Sequence, residues 1–309
     1  MKRDVILSLF ATCAIVGGIY VDKGNPYKQG LLKVGQITLS ETIVGSPLHT
    51  IAFFPLENGD YPVVIFLGGL NTYVLSELYT VVLSSIASHG FFVFGVDYQF
   101  PVYDERMQFT KPPKYGKQDI DKFFKQLTWL ENYFRNRTES TPVFNSTGLL
   151  CHSSGCDVSM KMIKEKRNLF KSTAFLEPFT ADVDSPIKND MPALMYGTQL
   201  SEEGLKCAIP GFDYNKLYDI WSCPRIVMNV ADFGHCDILD PAGWEMCHVT
   251  HFCKTTNDTH LTEYRQFVQG VTSAFFISTL QGLTKDISYV TTSNLIPLKL
   301  LELKSDINC

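Results

Sequence analysis

Three side chains, widely spaced along the chain, have the types and the order that nucleophilic catalysis requires: Ser153, Glu177 and His235. A serine becomes a nucleophile when a histidine takes its proton and a carboxylate orients that histidine. Ser153 lies in the segment Cys-His-Ser-Ser-Gly-Cys (151–156), after the apolar run 147–150 and before a helix-like segment that ends near residue 168. A strand that turns sharply into a helix at Ser-x-Gly exposes a nucleophilic serine at the turn. The pattern therefore predicts Ser153 as the nucleophile.

The acid and the base follow two later apolar segments. Glu177 comes directly after the run 172–176, and His235 comes shortly after the run 226–230. The order serine, acid, histidine, with each residue on a loop after a strand, is the order expected when a strand–helix turn carries the serine. Glu177 is thus predicted to hold the imidazole of His235, which would act as general base and then general acid. The alternatives for these two roles are the acids Asp182 and Asp184 and the bases His152, His248, His251 and His260.

Two backbone N–H groups are expected to stabilise the negative charge that develops on the carbonyl oxygen during acyl transfer. The residue after the nucleophile, Ser154, supplies one of them. Leu70, which follows the glycine pair Gly68-Gly69 at the end of another apolar run, is predicted to supply the other. The sequence therefore predicts an oxyanion hole formed by the amides of Leu70 and Ser154.

The elements that must position these residues alternate between strands and helices. Continuous apolar runs at 62–67 and 91–96 are typical of buried parallel strands, and the segment 74–88 between them has helical spacing and ends at a His-Gly stop. Such alternation predicts an α/β fold with a mostly parallel central sheet and helices on both faces. The other predicted strands are 33–40, 48–54, 147–150, 172–176, 193–196 and 226–230, and the other predicted helices are 118–135, the segment after Ser153, and 263–282.

Composition excludes some function classes. The chain has 309 residues, of which 45% are hydrophobic and 19% charged, and a formal net charge of −5. These values are typical of a globular protein with one substantial core. Without a concentrated run of lysine and arginine, the sequence argues against a nucleic-acid partner.

The first residues predict export. Lys2 and Arg3 precede an apolar stretch that ends at Gly17-Gly18, which is the pattern of a signal peptide over residues 1–20. We expect the catalytic domain over residues 21–283 and a C-terminal tail over 284–309, with no stable membrane anchor, because the apolar stretch is shorter than a bilayer span. A secreted or luminal protein could carry glycans at three sequons, which begin at Asn136, Asn145 and Asn257.

Eight cysteines follow the predicted signal peptide, an even number that fits disulfide formation in an exported chain. Proximity along the chain suggests the pairs Cys207–Cys223 and Cys247–Cys253. A zinc site is the less favoured alternative for the last region, because its ligand types are suitable but its spacing matches no standard zinc motif. That alternative site would comprise Cys247, His248, His251 and Cys253.

Several segments, in collinear order over roughly residues 30 to 280, resemble the chlorophyllase family of α/β-hydrolases. They are Phe-Leu-Gly-Gly-Leu (66–70), Ile-Ala-Ser-His-Gly-Phe (86–91), the segment 151–156, Asp-Phe-Gly-His-Cys-Asp-Ile-Leu-Asp (232–240) and Arg-Gln-Phe-Val-Gln-Gly (265–270). The sequence departs from the family pattern at three places. Gly68 replaces a histidine, and Glu177 replaces an aspartate. Cys151 and Cys156 replace glycines of the strand–helix turn around Ser153.

The resemblance implies a serine carboxylester hydrolase that removes the phytyl chain from chlorophyll and needs no metal or organic cofactor. We therefore expect a secreted esterase that acts through an acyl-enzyme intermediate on a small, lipophilic ester, either a chlorophyll-like phytyl ester or another lipid ester. A general lipase or polyester hydrolase is an alternative within the same class. From another class, the alternative is a catalytically impaired protein of the same fold that binds lipids or partners.

Overall fold

The computed structural model describes residues 24–72, 74–98, 120–135, 139–181, 186–187, 190–203 and 207–307. Within them, one sheet of nine strands forms the centre of the molecule. The strands are β1 (Val34–Leu39), β2 (His49–Pro55), β3 (Gly59–Leu67), β4 (Phe92–Asp97), β5 (Ser140–His152), β6 (Ser172–Leu176), β7 (Ala193–Thr198), β8 (Arg225–Val230) and β9 (Leu300–Asp306).

The strands lie in the order β1-β2-β4-β3-β5-β6-β7-β8-β9. From β4 to β8 all neighbours are parallel, whereas β2 runs antiparallel to β1 and β4, and β9 runs antiparallel to β8. The central strands consist of continuous apolar runs because both of their faces are covered. Their carboxyl ends meet at one edge of the sheet, where ligands collect in open α/β folds.

Helices cover both faces of this sheet, as predicted. They are α1 (Glu41–Val44), α2 (Gly69–Thr72), α3 (Thr80–Ser88), α4 (Ile120–Phe134), α5 (Gly155–Lys166), α6 (Tyr214–Ile220), α7 (Pro241–Thr250), α8 (Leu261–Leu280) and α9 (Ser288–Thr291). Side chains of α3 and α8, such as Leu83 and Phe267, belong to the core on one face. Phe123 of α4, Val158 of α5 and Leu217 of α6 belong to the core on the other.

The predicted strands and long helices are confirmed with small shifts of their ends, except that the strand predicted at 147–150 extends from Ser140 to His152. The chain also forms elements that were not predicted. The segment 74–88 forms a 3-10 turn, Ser76–Tyr79, before α3 begins. In the predicted tail, β9 pairs with β8 and closes that edge of the sheet, with Leu300 and Leu303 packed against the core. Charged residues alternate with these leucines, so the sequence lacks the continuous apolar run of a buried strand. Neither α6 nor α7 was predicted.

Disulfides join Cys151 to Cys156, Cys207 to Cys253, and Cys236 to Cys247. The predicted pairs Cys207–Cys223 and Cys247–Cys253 are therefore wrong, and Cys223 is disulfide-bonded elsewhere. The error has a physical reason: α7 folds back on the loop after β8, which brings cysteines distant in sequence together. Since Cys247 and Cys253 are oxidised, they have no thiolate to offer to the alternative zinc site.

No helix in the described ranges is long and apolar enough to cross a bilayer. The predicted signal peptide, residues 1–20, lies outside the described residues, as do the sequon at Asn136 and the alternative acids Asp182 and Asp184.

Candidate active site

Ser153 lies on the turn between β5 and α5, at the carboxyl edge of the sheet. Its backbone has φ 54°, in the left-handed region that side chains rarely adopt. The turn is tight: a Cβ atom on Gly155 would lie only 2.4 Å from the carbonyl oxygen of Gly68, so this position requires glycine. The N–H of Ser153 donates to Leu176 O at 3.1 Å, and the N–H of Phe179 donates to Ser153 O at 3.0 Å. These bonds hold the strained turn against the end of β6.

A disulfide bridges the strand–helix turn that carries Ser153, which we call the elbow. Cys151 is the last residue but one of β5, and Cys156 is the second residue of α5. The two side chains form a disulfide and are fully buried. These two cysteines occupy the positions at which the chlorophyllase family pattern has glycines. The covalent bond thus ties the strand to the helix on either side of Ser153.

The structure places Glu177 next to His235. Glu177, with φ 47°, follows β6 and is only 4% exposed. Its Oε2 atom lies 3.5 Å from His235 Nδ1 and accepts a hydrogen bond from Ser201 Oγ at 2.5 Å. The Thr198 hydroxyl donates to the other oxygen, Oε1. The carboxylate is therefore fixed from three sides, and the Nε2 atom of His235 faces away from it.

The loop that carries His235 is organised around the buried carboxylate of Asp237. This carboxylate accepts hydrogen bonds from Gly234 N at 2.7 Å, Trp244 Nε1 at 2.9 Å and Thr256 N at 3.0 Å. Burial raises the pKa of Asp237 to about 6, although the hydrogen bonds oppose that shift. Asp237 therefore positions the loop of His235 instead of acting as its partner acid.

The glycine turn predicted to form the oxyanion hole lies directly against the elbow. A Cβ atom on Gly69 would be 3.3 Å from the Cβ of Ser153 and 3.4 Å from His152 Nδ1. Leu70 has φ 49° and a side chain that is 43% exposed. The two predicted donors, the amides of Leu70 and Ser154, thus belong to adjoining turns, and their role stays a prediction.

A chain of hydrogen bonds links the glycine turn to the loop of His235. The N–H of Gly69 donates to the Tyr79 hydroxyl at 3.2 Å, and that hydroxyl lies 2.8 Å from His152 Nδ1. His152 Nε2 lies 3.1 Å from the carbonyl oxygen of His235, so Nε2 must carry the proton and Nδ1 must accept from Tyr79. Burial, and next the proximity of His235, hold the pKa of His152 well below its usual range. His152 is thus a neutral bridge, which makes it a poor candidate for the base.

The remaining alternative bases lie on the surface. His248 stacks on Trp244 and its Nδ1 lies 2.6 Å from Thr255 Oγ1. His251 ends α7, and His260 lies beside Glu263 at 4.0 Å. Of the histidines considered for the base, His235 alone contacts a buried carboxylate in the described part of the chain.

Sequence reasoning missed several residues that support the site. Thr198 and Ser201 bind Glu177, Tyr79 binds the glycine turn, and Asp237 organises the loop of His235. The sequence could have indicated Asp237 as a supporting residue, since it lies two residues after His235 in a polar loop. Tyr79 and Ser201 gave no signal, because only the tertiary fold brings them to the site.

The mostly parallel sheet with helices on both faces, a serine on a strained strand–helix turn and a carboxylate–imidazole pair after later strands define the class of the α/β-hydrolase fold. The chlorophyllase family model matches residues 22–177 and 176–306, and the chain belongs to this family of hydrolases.

Two curated relatives come from Arabidopsis thaliana. The chain is 24% identical to chlorophyllase-2 over 303 residues, which cover 84% of this chain and 89% of the relative. It is 23% identical to chlorophyllase-1 over 264 residues, which cover 76% of this chain and 77% of the relative.

Proposed function

We propose that the protein is a secreted serine carboxylester hydrolase that acts on a lipophilic ester through an acyl-enzyme intermediate. The observation that carries the proposal is the contact between Glu177 and His235 beside the elbow. The ring of His235 lies 4.6 Å from the ring of His152, which directly precedes Ser153 in the chain. Ser153 would be the nucleophile, His235 the base and Glu177 the orienting acid.

In this mechanism the Ser153 hydroxyl attacks the ester carbonyl while His235 Nε2 takes its proton. The amides of Leu70 and Ser154 bind the oxyanion, and the tetrahedral intermediate collapses as the imidazolium protonates the departing alcohol. Water, deprotonated by His235, then releases the acid from Ser153. Glu177 stabilises the imidazolium in both halves of the cycle, and the hydrogen bonds that it accepts from Thr198 and Ser201 keep it oriented.

Apolar side chains around the elbow support a lipophilic substrate. Leu70 adjoins the glycine turn, and Phe179, whose N–H binds the carbonyl of Ser153, packs with Phe212 at 5.8 Å between ring centroids. Leu70 and Phe212 are both exposed. Such side chains favour the binding of a lipophilic acyl or alcohol group over a charged one. A phytyl ester such as chlorophyll, the substrate that the names of the two chlorophyllase relatives indicate, is the first candidate.

Labelling with a fluorophosphonate tests the proposal. We expect stoichiometric modification of the purified protein and no modification of Ser153→Ala, with Ser159→Ala, a buried serine of α5, as the matched control. A folded wild-type protein that is not labelled would support the alternative, a protein of this fold that binds lipids or partners without catalysis. Rates on pheophytin, short-chain nitrophenyl esters and triglycerides would then separate a phytyl esterase from a general lipase.

A further inference from the structure

A second cluster of ionisable side chains lies at the carboxyl edge of the sheet, around β4 and β2, which are two and three strands away from β5. His49 begins β2 and is paired in register with Asp97, the last residue of β4. Glu77 reaches the same place from the 3-10 turn Ser76–Tyr79. One ligand atom from each of the three residues lies within 4.8 Å of the other two. The proposed hydrolytic mechanism uses none of them.

Within the described part of the chain, only one of the two oxygens of the Asp97 carboxylate accepts hydrogen bonds. Its Oδ1 accepts hydrogen bonds from Ser76 N at 2.9 Å and Ser76 Oγ at 2.8 Å. Its Oδ2 is buried, accepts no hydrogen bond from the described residues and lies 4.0 Å from His49 Nε2. The same Nε2 lies 2.7 Å from Glu77 Oε1, while Glu77 Oε2 is also buried without a hydrogen bond from that part of the chain.

The cluster has an excess of negative charge. Two carboxylates face one imidazole, and no lysine or arginine nitrogen in the described ranges lies within 4.0 Å of either carboxylate. A buried carboxylate with an open oxygen is costly unless a proton or a cation satisfies it.

We propose that His49, Glu77 and Asp97 form a binding site for a divalent transition-metal cation of the zinc class. Imidazole and carboxylate ligands together suit Zn²⁺, whereas Ca²⁺ and Mg²⁺ prefer oxygen ligands alone. The hydrogen bonds from Ser76 orient Asp97 in the way that supporting groups orient metal ligands. Glu77, with a side chain 35% exposed, can move outward from its contact with His49 to admit the ion.

The backbone is built to bring the turn against the sheet at this place. A Cβ atom on Gly95 would lie 2.4 Å from the Cβ of Ser76, so glycine in β4 allows Ser76 to approach Asp97. The ion would then fasten the turn Ser76–Tyr79 to β2 and β4. Since the Tyr79 hydroxyl binds the N–H of Gly69, we infer a stabilising role for the cation next to the glycine turn.

Calorimetric titration tests the site. The full-length protein, without an affinity tag and with its disulfides intact, would be stripped with a chelator and titrated with Zn²⁺. We expect one equivalent to bind and to raise the melting temperature. Both Glu77→Gln and His49→Gln should weaken binding at least about tenfold, the effect typical of altering a metal site. The control is Glu263→Gln, which alters the exposed pair of Glu263 with His260 and should leave binding unchanged.

The proposal is overturned if the stripped wild-type protein binds no stoichiometric Zn²⁺, or if both site variants bind it as tightly as the wild type. Preferential binding of Ca²⁺ would also overturn it. Circular dichroism checks the fold of each variant, and the half-buried Glu77 is the substitution least disruptive to the core. Because binding is measured directly, the result does not depend on whether Ser153 is a nucleophile.

Discussion

The Glu177 carboxylate accepts hydrogen bonds from Thr198 and Ser201 and faces His235 Nδ1 at 3.5 Å. Replacing it with an amide would keep its shape but remove the charge that stabilises the imidazolium and selects the tautomer of His235. We expect Glu177→Gln to lower kcat for a nitrophenyl ester roughly 10³- to 10⁴-fold with little change in KM, as is typical when a triad carboxylate is neutralised. Glu203→Gln, at an exposed carboxylate paired with Lys254, is the control. A variant at Glu177 that keeps more than a tenth of wild-type kcat would assign the acid role elsewhere.

The neutral bridge made by His152 predicts a pH-dependent stability. Its folded pKa lies well below the unfolded value of 6.5. The stability it contributes is therefore complete above pH 6.5 and is lost as the pH falls. At pH 7.5 we expect His152→Gln to cost about 1–3 kcal/mol, because the carbonyl of His235 and the hydroxyl of Tyr79 lose their partner.

This difference in unfolding free energy should shrink below pH 6.5, with a slope of up to about 1.4 kcal/mol per pH unit. Urea denaturation of both proteins between pH 5 and 8 measures it, with the surface variant His260→Gln for comparison. A difference that stays constant over this range would contradict a neutral, buried imidazole.

At the scale of elements, the disulfide from Cys151 to Cys156 closes a short loop around Ser153. The chain-entropy model gives about 2 kcal/mol for a loop of this length. We expect Cys151→Ala/Cys156→Ala to lose roughly that amount in urea denaturation. Fluorophosphonate labelling should persist, because the backbone bonds of Ser153 to Leu176 and Phe179 remain.

The matched comparison is Cys236→Ala/Cys247→Ala, which opens a loop with a sequence separation of 11 instead of 5. It should cost more, about 3 kcal/mol in the same model. If the elbow variant is folded but is no longer labelled, the disulfide itself shapes the nucleophilic turn.

The elements differ in how well their sequences predict them. Parallel strands such as β3 and β6 consist of unbroken apolar runs, because both faces are buried, and the sequence revealed them. By contrast, β9 is an edge strand whose charged residues face solvent, so its pairing with β8 had no local signal. The same holds within the site. Ser153, Glu177 and His235 follow strand ends, which is why the sequence suggests them as site residues. Tyr79, in contrast, reaches the glycine turn only through the packing of Ser76–Tyr79 against the sheet.

At the scale of the whole molecule, the disulfides bear on the proposal of secretion. The bridge from Cys236 to Cys247 ties α7 to the loop after β8, and the bridge from Cys207 to Cys253 ties the segment after α7 to the segment that follows β7. Such bonds persist in exported proteins and are rare in the cytosol. They support the proposal of secretion, which the apolar leader and the sequons first suggested.

Glycosylation tests the route of export. Asn145 in β5 and Asn257 before α8 are both exposed, and Asn257 accepts hydrogen bonds from Thr259, the hydroxyl residue of its own sequon. In a eukaryotic secretory host we expect the secreted protein to lose mass on treatment with an N-glycosidase, and Asn257→Gln to lack one glycan. Asn294→Gln, at an exposed asparagine outside any sequon, should leave the mass pattern unchanged. A chain that stays inside the cell without glycans would exclude secretion while leaving the hydrolase site intact, because the contact of Glu177 with His235 does not depend on the leader.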